Sequence, residues 1–390
     1  MSKQVIESIL KVLWFTPGRR GRWGLPACWW AGPGVGKTTQ IEHAARAFGL
    51  GHCETLSPGE RGEGAFGVVP MPSADGSRLL YPAPDWTAHF AHDKGGVVFV
   101  DEINRAAPAI QPPLLGLINE LRIGGQYLGS RTRVAAAANP TETAPGVYEM
   151  DPAEANRMGH LEWPAPAAED WGGWALGGCN GEHVECEFDA LAEEERVLKA
   201  WPDAFGNVVG RVTAFLRAYP SLLWKQPAEG DPNRGRAWPS PRSWELGLRA
   251  LAGCLVHKVD AETTDLILAA FIGQAAAAQY SDWLAKQDLP DPIKVLDGQV
   301  KFKPDPDRLD RTVAVLSSCA AIVAPAKSSK REARTKRLWE IIYVVLDATP
   351  DIVEAPVKVL VEAGLSEDNN PDACAALKKM YPYLIAARNG

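Results

Sequence analysis

The sequence predicts an α/β fold built on a parallel sheet, followed by a mostly helical C-terminal half. Three observations predict it. A glycine-rich loop, Ala31-Gly32-Pro33-Gly34-Val35-Gly36-Lys37-Thr38-Thr39, lies between an apolar run and a segment with helical spacing. Two further runs, Val97–Val100 and Val134–Ala138, have the unbroken apolar character of strands covered on both faces. Strand and helix patterns alternate through residues 1–165, the signature of parallel strands joined by helical crossovers.

Taken in order, Val5, Ile6, Ile9, Leu10 and Leu13 share one face of a helix over residues 2–15. A Gly/Arg/Pro-rich connector runs from Pro17 to Gly24, and Leu25–Trp30 reads as the first strand. After the glycine loop, Ile41, Ala44, Ala45 and Phe48 recur at helical spacing, with Gly49 as a stop. Asp75-Gly76 between Val68-Val69 and Leu79-Leu80-Tyr81 predicts a hairpin, and Ile123–Tyr127 a second one. Between them, Gly95–Val100 is a buried strand ending on Asp101-Glu102, and Ile110, Leu114, Leu117, Ile118 and Leu121 mark a helix. Val134–Ala138 is another buried strand, ending at Asn139-Pro140. Residues 164–182 are rich in Pro, Gly and Trp, a linker with one short helix. The chain is then helical over 188–285, broken by a loop at 226–241, and mostly helical to its end, with a polar loop near 286–307. These shifts predict an α/β core over 1–165, a linker and helical lid over 166–290, and a helical extension over 291–390.

Composition removes several classes. With 390 residues, 46% hydrophobic and 23% charged, the chain is long and apolar enough to bury a full core, so it is not mostly disordered. No run of 18 apolar residues occurs, which excludes a membrane-spanning helix. Glu7 and Lys11 interrupt the N-terminal apolar pattern, so no secretory leader is expected. A net charge of −7, from 41 basic and 48 acidic residues, gives no overall attraction to phosphate backbones. Seven scattered cysteines are expected as reduced thiols in the cytoplasm.

The chemistry concentrates in three places. A phosphate chain needs several converging backbone N–H groups, which glycine-rich turns and helix N-termini supply. The loop meets the pattern G-x-x-x-x-G-K-[ST] except at its first position, where Ala31 stands for glycine. Lys37 then offers a positive charge to the β and γ oxygens, and Thr38 a hydroxyl to Mg²⁺. A dinucleotide turn is excluded because Lys37 falls where its third glycine belongs. Asp101 and Glu102 close an apolar strand, and burying two carboxylates there is unfavourable unless they meet a cation or water. At the carboxyl edge of a parallel sheet they share a crevice with the loop, where Asp101 can hold Mg²⁺ and Glu102 can act as general base. Asn139, at the end of its own strand, can orient the attacking water.

Together these stretches resemble the AAA+ ATPases of the MoxR group, a P-loop NTPase family. The resemblance rests on Gly32–Thr39, on Val97–Ala106 with its Asp-Glu-Ile-Asn-Arg-Ala, and on Ala138-Asn139-Pro140, and it runs through residues 25–250. It implies ATP and Mg²⁺ as cofactors, with Gly32, Pro33, Gly34, Val35, Gly36, Lys37, Thr38 and Thr39 as Walker A. Asp101 and Glu102 are implied as Walker B and Asn139 as sensor 1. The segments 64–82 and 123–129 are similar to the helix-2 insert and pre-sensor-1 hairpin of that clade. Arg157, in Asn156-Arg157-Met158, sits where the family carries an arginine finger, although Met158 replaces the usual aromatic. Such an arginine from a neighbouring subunit is worth on the order of 10³–10⁵ in rate; the competing reading is a helix-end residue. Arg242, in Pro239-Ser240-Pro241-Arg242-Ser243-Trp244, resembles sensor 2, which would reach the γ-phosphate from the lid; here too a plain helix start is the alternative.

The same resemblance implies a ring, most often a hexamer, that remodels or matures a protein client with a separate partner bearing a von Willebrand factor A domain. A nucleic-acid motor whose hairpins track a strand is the alternative, kept open by Arg131 and Arg133. Phe66 is expected either to grip a client in a central pore or to be a buried strand residue. Cys179, His183 and Cys186 lack zinc-site spacing, and the basic run Lys327–Arg337 reads as a solvated helix start.

Overall fold

The computed structural model describes residues 2–91, 95–140, 146–176, 188–231, 233–305, 307–325 and 330–365. The chain begins with helix α1 (Lys3–Phe15), strand β1 (Ala27–Trp30), helix α2 (Lys37–Ala47) and strand β2 (Cys53–Leu56). A small hairpin, β3 (Met71–Pro72) and β4 (Leu79–Leu80), precedes β5 (Gly96–Val100) and α3 (Gln111–Glu120). A second hairpin, β6 (Arg122–Ile123) and β7 (Gln126–Tyr127), leads to β8 (Thr132–Ala138), the short helix α4 (Pro152–Ala155) and β9 (Gly159–Glu162). The helices α5 (Ala168–Leu176), α6 (Ala190–Ala218), α7 (Pro241–His257), α8 (Ala261–Ile272) and α9 (Gln274–Lys286) follow. The last are α10 (Pro292–Leu296), α11 (Leu309–Val323), α12 (Arg331–Ala348) and α13 (Glu354–Glu362).

Five strands form one sheet in the order β2-β5-β8-β1-β9, and every pairing in it is parallel. Alternation across the pleat sends Cys28, Trp30, Val98, Val100, Ala136 and Ala138 into one core, shared with Phe66, Ile110, Leu114 and Leu117. Their neighbours Trp29, Val97, Phe99, Ala135 and Ala137 are buried on the other face. This two-sided burial is why the central strands read as continuous apolar runs. A five-stranded parallel sheet with the glycine loop joining β1 to α2 is the α/β P-loop NTPase fold, with helical regions following it.

The chain separates into two compact units. One comprises residues 1–197 and 224–277, the other 198–223 and 278–390. In the first unit, α1, α7 and α8 pack together and α8 lies against β9. Gly253 permits the α1–α7 contact, because a Cβ there would meet Thr16 Oγ1 at 2.2 Å. A buried ion pair, Arg133 to Glu194, ties the start of β8 to the start of α6, with side chains only 2% and 3% exposed.

In the second unit, α10 to α13 enclose Val295, Leu316, Cys319, Trp339 and Ile342. The basic run is largely spent inside this unit. Arg331 donates to the Val323 and Ala324 carbonyls at the end of α11, Arg334 pairs with Asp297 and Asp203, and Arg337 with Glu340. Lys330, Glu332, Ala333 and Lys336 of the same run are exposed, so the helix start is solvated on one face and structural on the other.

Two local expectations change. The first hairpin turns at Asp75-Gly76 as expected, but its first strand is Met71–Pro72 rather than Val68-Val69. Phe66 lies in a 3-10 turn, Glu63–Phe66, and is fully buried, so it grips nothing and is no strand residue. The Cys179, His183 and Cys186 group and Lys327 lie outside the described residues. Among the described residues, no helix is long and apolar enough to cross a membrane.

Candidate functional site

Strand order assembles the site. The glycine loop follows β1, Asp101 and Glu102 follow β5, and Asn139 follows β8, which lies between the other two. All three loops therefore leave the same edge of the sheet side by side.

Within the glycine loop, Gly34 and Gly36 adopt φ of 79° and 83°, a left-handed conformation that favours residues without a Cβ. Gly36 opens α2 and supplies no side-chain cap. The first N–H groups of α2 thus remain available at the positive end of the helix dipole, the arrangement that binds anions. Pro33 and Thr39 are exposed, while Gly32, Val35 and Thr38 are partly buried around the turn. Lys37 is buried, and its Nζ donates to the carbonyls of Ala31 and Gly32 at 3.0 and 3.1 Å. Desolvation lowers its pKa from the usual lysine range, against the opposing pull of Asp101 and Glu102.

Lys37 Nζ also donates to Asn139 Oδ1 at 3.1 Å, and Asn139 Nδ2 donates to Glu102 Oε1 at 2.9 Å. The lysine, the amide and the carboxylate form one continuous chain. Beside it, the Thr38 hydroxyl donates to Asp101 Oδ2 at 2.6 Å. A hydroxyl and a carboxylate at that spacing form a hard-oxygen pair suited to Mg²⁺, which takes few protein ligands and completes its shell with water and phosphate. The residues fit the ion. No group of three or more His, Cys, Asp or Glu able to hold a metal occurs among the described residues.

Asn104 is a site residue that the sequence motif contained but to which no role was attached. Its Nδ2 donates to the Asn139 carbonyl at 2.8 Å and its Oδ1 accepts from the Asn139 N–H at 3.2 Å. Glu102 itself has φ 52°, and it opens the 3-10 turn Ile103–Arg105.

Arg157 and Arg242 are not brought to this edge. Arg157 immediately precedes β9, and both arginines line a cleft with Leu25, Pro26 and Thr132, where β1 and β8 begin. Asn156 fixes this placement: it donates to the Trp238 carbonyl at 2.9 Å and accepts from Ser240, the capping residue of α7. Arg242 is therefore held beside Arg157, at the sheet edge opposite Lys37. Arg19 and Arg22, from the connector after α1, line the same cleft. Burial, Arg157 and Arg19 lower the pKa of Arg242, which has no hydrogen-bond or ion-pair partner among the described residues.

No protein-family model matches this chain, and no curated protein matches it in sequence. Among solved structures, the chain is similar to a provisionally assigned ATPase from Cytophaga hutchinsonii. Identity is 14%, the match covers 73% of this chain and 94% of that one, and the TM-score is 0.46.

Proposed function

We propose that this chain is a magnesium-dependent ATPase of the AAA+ superfamily, of MoxR type. It works as a ring, with six subunits as the working stoichiometry. The observation that carries the hydrolytic reading is the chain Lys37–Asn139–Glu102 beside the Thr38–Asp101 pair. Lys37 and the open N-terminus of α2 bind the β and γ oxygens of ATP. Thr38 and Asp101 hold Mg²⁺, which when bound neutralises charge on the phosphates. Glu102 accepts a proton from the attacking water, and Asn139 holds that water in line.

Arg157 and Arg242 share a cleft away from their own loop, so both are read as donors to the nucleotide of a neighbouring subunit. An arginine there offsets the charge that develops on the transferring phosphoryl group. The work performed is remodelling or maturation of a protein client, with a separate partner carrying a von Willebrand factor A domain and with the cytoplasm as the compartment. Consumption of Arg331, Arg334 and Arg337 by internal partners supports a protein client over a nucleic acid. The unpaired thiols of Cys28, Cys53, Cys254 and Cys319 agree with a reducing compartment.

Mixing two inactive variants tests the reading. Glu102→Gln subunits lack the base but keep Arg157, and Arg157→Ala subunits keep the base but donate no finger. Recovery of ATP hydrolysis in the mixture is expected. A mixture that stays inactive after verified subunit exchange removes the shared-site model. Arg242→Ala is expected to leave ATP affinity intact while lowering turnover.

A further inference from the structure

We propose that the cleft where β1 and β8 begin is a binding site for one phosphate group, built within a single subunit by Arg22, Arg157, Arg242 and Thr132. Arg22 and Thr132 have no part in the shared-site reading above, and the site stands whether or not this chain hydrolyses ATP. Three guanidinia lie there without a counter-charge. Arg22 donates to the Asn119 carbonyl at 2.6 Å and Arg157 to the Ala153 carbonyl, but Arg22, Arg157 and Arg242 have no ion-pair partner among the described residues. Glu245, which pairs with Arg19 of the same cleft, is shared with Arg249. Most of the N–H donors of the three arginines are therefore unused. At the floor of the cleft, the Thr132 hydroxyl is fully buried and has no hydrogen-bond partner. Buried polar groups are nearly always satisfied, so an orphan hydroxyl beneath uncompensated guanidinia marks the place of a shared acceptor. The cleft encloses about 60 Å³. One water needs roughly 10–15 Å³, so the space takes several waters or one tetrahedral oxyanion.

Local structure brings these groups together. The connector after α1 is clamped on two sides. The Trp23 N–H donates to the Ser130 carbonyl at 2.9 Å, just before β8, and Arg249 of α7 donates to the Pro17 and Gly18 carbonyls, each at 3.0 Å. Arg22 is thereby carried to Thr132, the first residue of β8, and to Arg242, in the first turn of α7. The positive end of the α7 dipole adds to the field. Burial and Arg20 lower the pKa of Arg22, as burial, Arg157 and Arg19 lower that of Arg242. A bound phosphate relieves that like-charge crowding and gives the Thr132 hydroxyl an acceptor. The group is either free phosphate or the terminal phosphate of a neighbour's nucleotide, and the same four side chains hold both.

Inorganic phosphate titrated into full-length Lys37→Ala protein, at an ionic strength fixed with chloride and read by calorimetry, tests the cleft without the glycine loop. One phosphate per chain is expected. Adding Arg22→Ala or Arg242→Ala should raise Kd about tenfold or more, and adding Thr132→Val roughly two- to tenfold. Phosphate binding that none of these changes weakens overturns the site. If the chain binds no free phosphate, ATP hydrolysis by the otherwise wild-type protein decides. Arg22→Ala and Thr132→Val that each lower kcat by about threefold or more, with ATP affinity kept, support a phosphate carried by a neighbour's nucleotide. An unchanged kcat in both then overturns the proposal. Phosphate binding that depends on Arg22, Arg242 and Thr132 in a protein without ATP turnover removes the hydrolytic reading and leaves the site standing. Should Lys37→Ala lose its cooperative thermal transition, the otherwise wild-type protein saturated with ADP carries the same titration.

Discussion

Asn104 and Asn139 exchange hydrogen bonds: the Asn104 side chain grips both the N–H and the carbonyl of the Asn139 peptide. The amide that links Lys37 to Glu102 is therefore held from behind by a residue that touches neither. Asn104→Ala would strand two buried backbone groups, a loss of about 2–4 kcal/mol in unfolding free energy. Turnover should fall about tenfold or more with ATP affinity nearly kept, because the binding loop is untouched. Urea unfolding and steady-state hydrolysis check both; an unchanged midpoint would remove this role.

Thr38→Val keeps the shape of the side chain and deletes the hydroxyl that faces Asp101. ATP affinity in EDTA should be close to that of the wild type. The gain in affinity on adding Mg²⁺ should shrink by about 1–2 kcal/mol, read by titration calorimetry with and without the ion. An undiminished Mg²⁺ effect would mean that the ion is held elsewhere.

Stability should fall in mild acid through His160 and His257, both pushed down to about 4, chiefly by burial. In His160, Nδ1 accepts from Trp30 Nε1 at 2.9 Å and Nε2 donates to the Ala155 carbonyl at 2.8 Å, so a second ring proton would face an N–H. The folded pKa lies below the unfolded value near 6.5, so the unfolded chain binds more protons between them. Stability is complete above about pH 6.5 and is lost as pH falls toward 4, by about 2 kcal/mol per histidine at pH 5. His160→Gln, which can keep both contacts without titrating, should remove roughly half of that pH 7.5 to 5.0 difference. An unaltered difference in denaturant unfolding would contradict the assignment.

Arg133 and Glu194 form a pair that is hard to break and only partly replaceable. Glu194→Gln leaves a buried guanidinium without its counter-charge and should lower stability by about 3–5 kcal/mol. The double variant Arg133→Met, Glu194→Leu should recover only part of that loss, because Glu194 also pairs with the part-exposed Arg131 at 2.7 Å and Arg133 also donates to the Trp14 carbonyl at 3.1 Å. A double-mutant cycle by chemical denaturation measures the difference, and simple additivity would argue against a coupled pair.

What was legible in the sequence was whatever chemistry made local. The glycine loop, Asp101-Glu102 at the end of Gly96–Val100, and Asn139 after an apolar strand all carry their meaning within a few residues. The two edge strands do not. Cys53–Leu56 and Gly159–Glu162 are four residues long and carry polar side chains, because an edge strand has one open side and need not be apolar throughout. Asn104 was hidden for another reason: its partner is 35 residues away, brought beside it only by strand order. Arg242 was visible as a residue but not as a location, since the Asn156–Ser240 contact that fixes it joins residues 84 apart. The turn at Asp75-Gly76 was readable, but the two-residue strands flanking it were too short for periodicity to place.

The left-handed backbone at Glu102 sets backbone strain against activity at a single position. A residue with a Cβ is strained at φ 52°, and glycine there would relieve roughly 1 kcal/mol. Glu102→Gly would release that strain, but it would also take away the acceptor of the buried Asn139 amide and delete the base. The side chain that turnover needs is thus also the one that holds the strained turn in place.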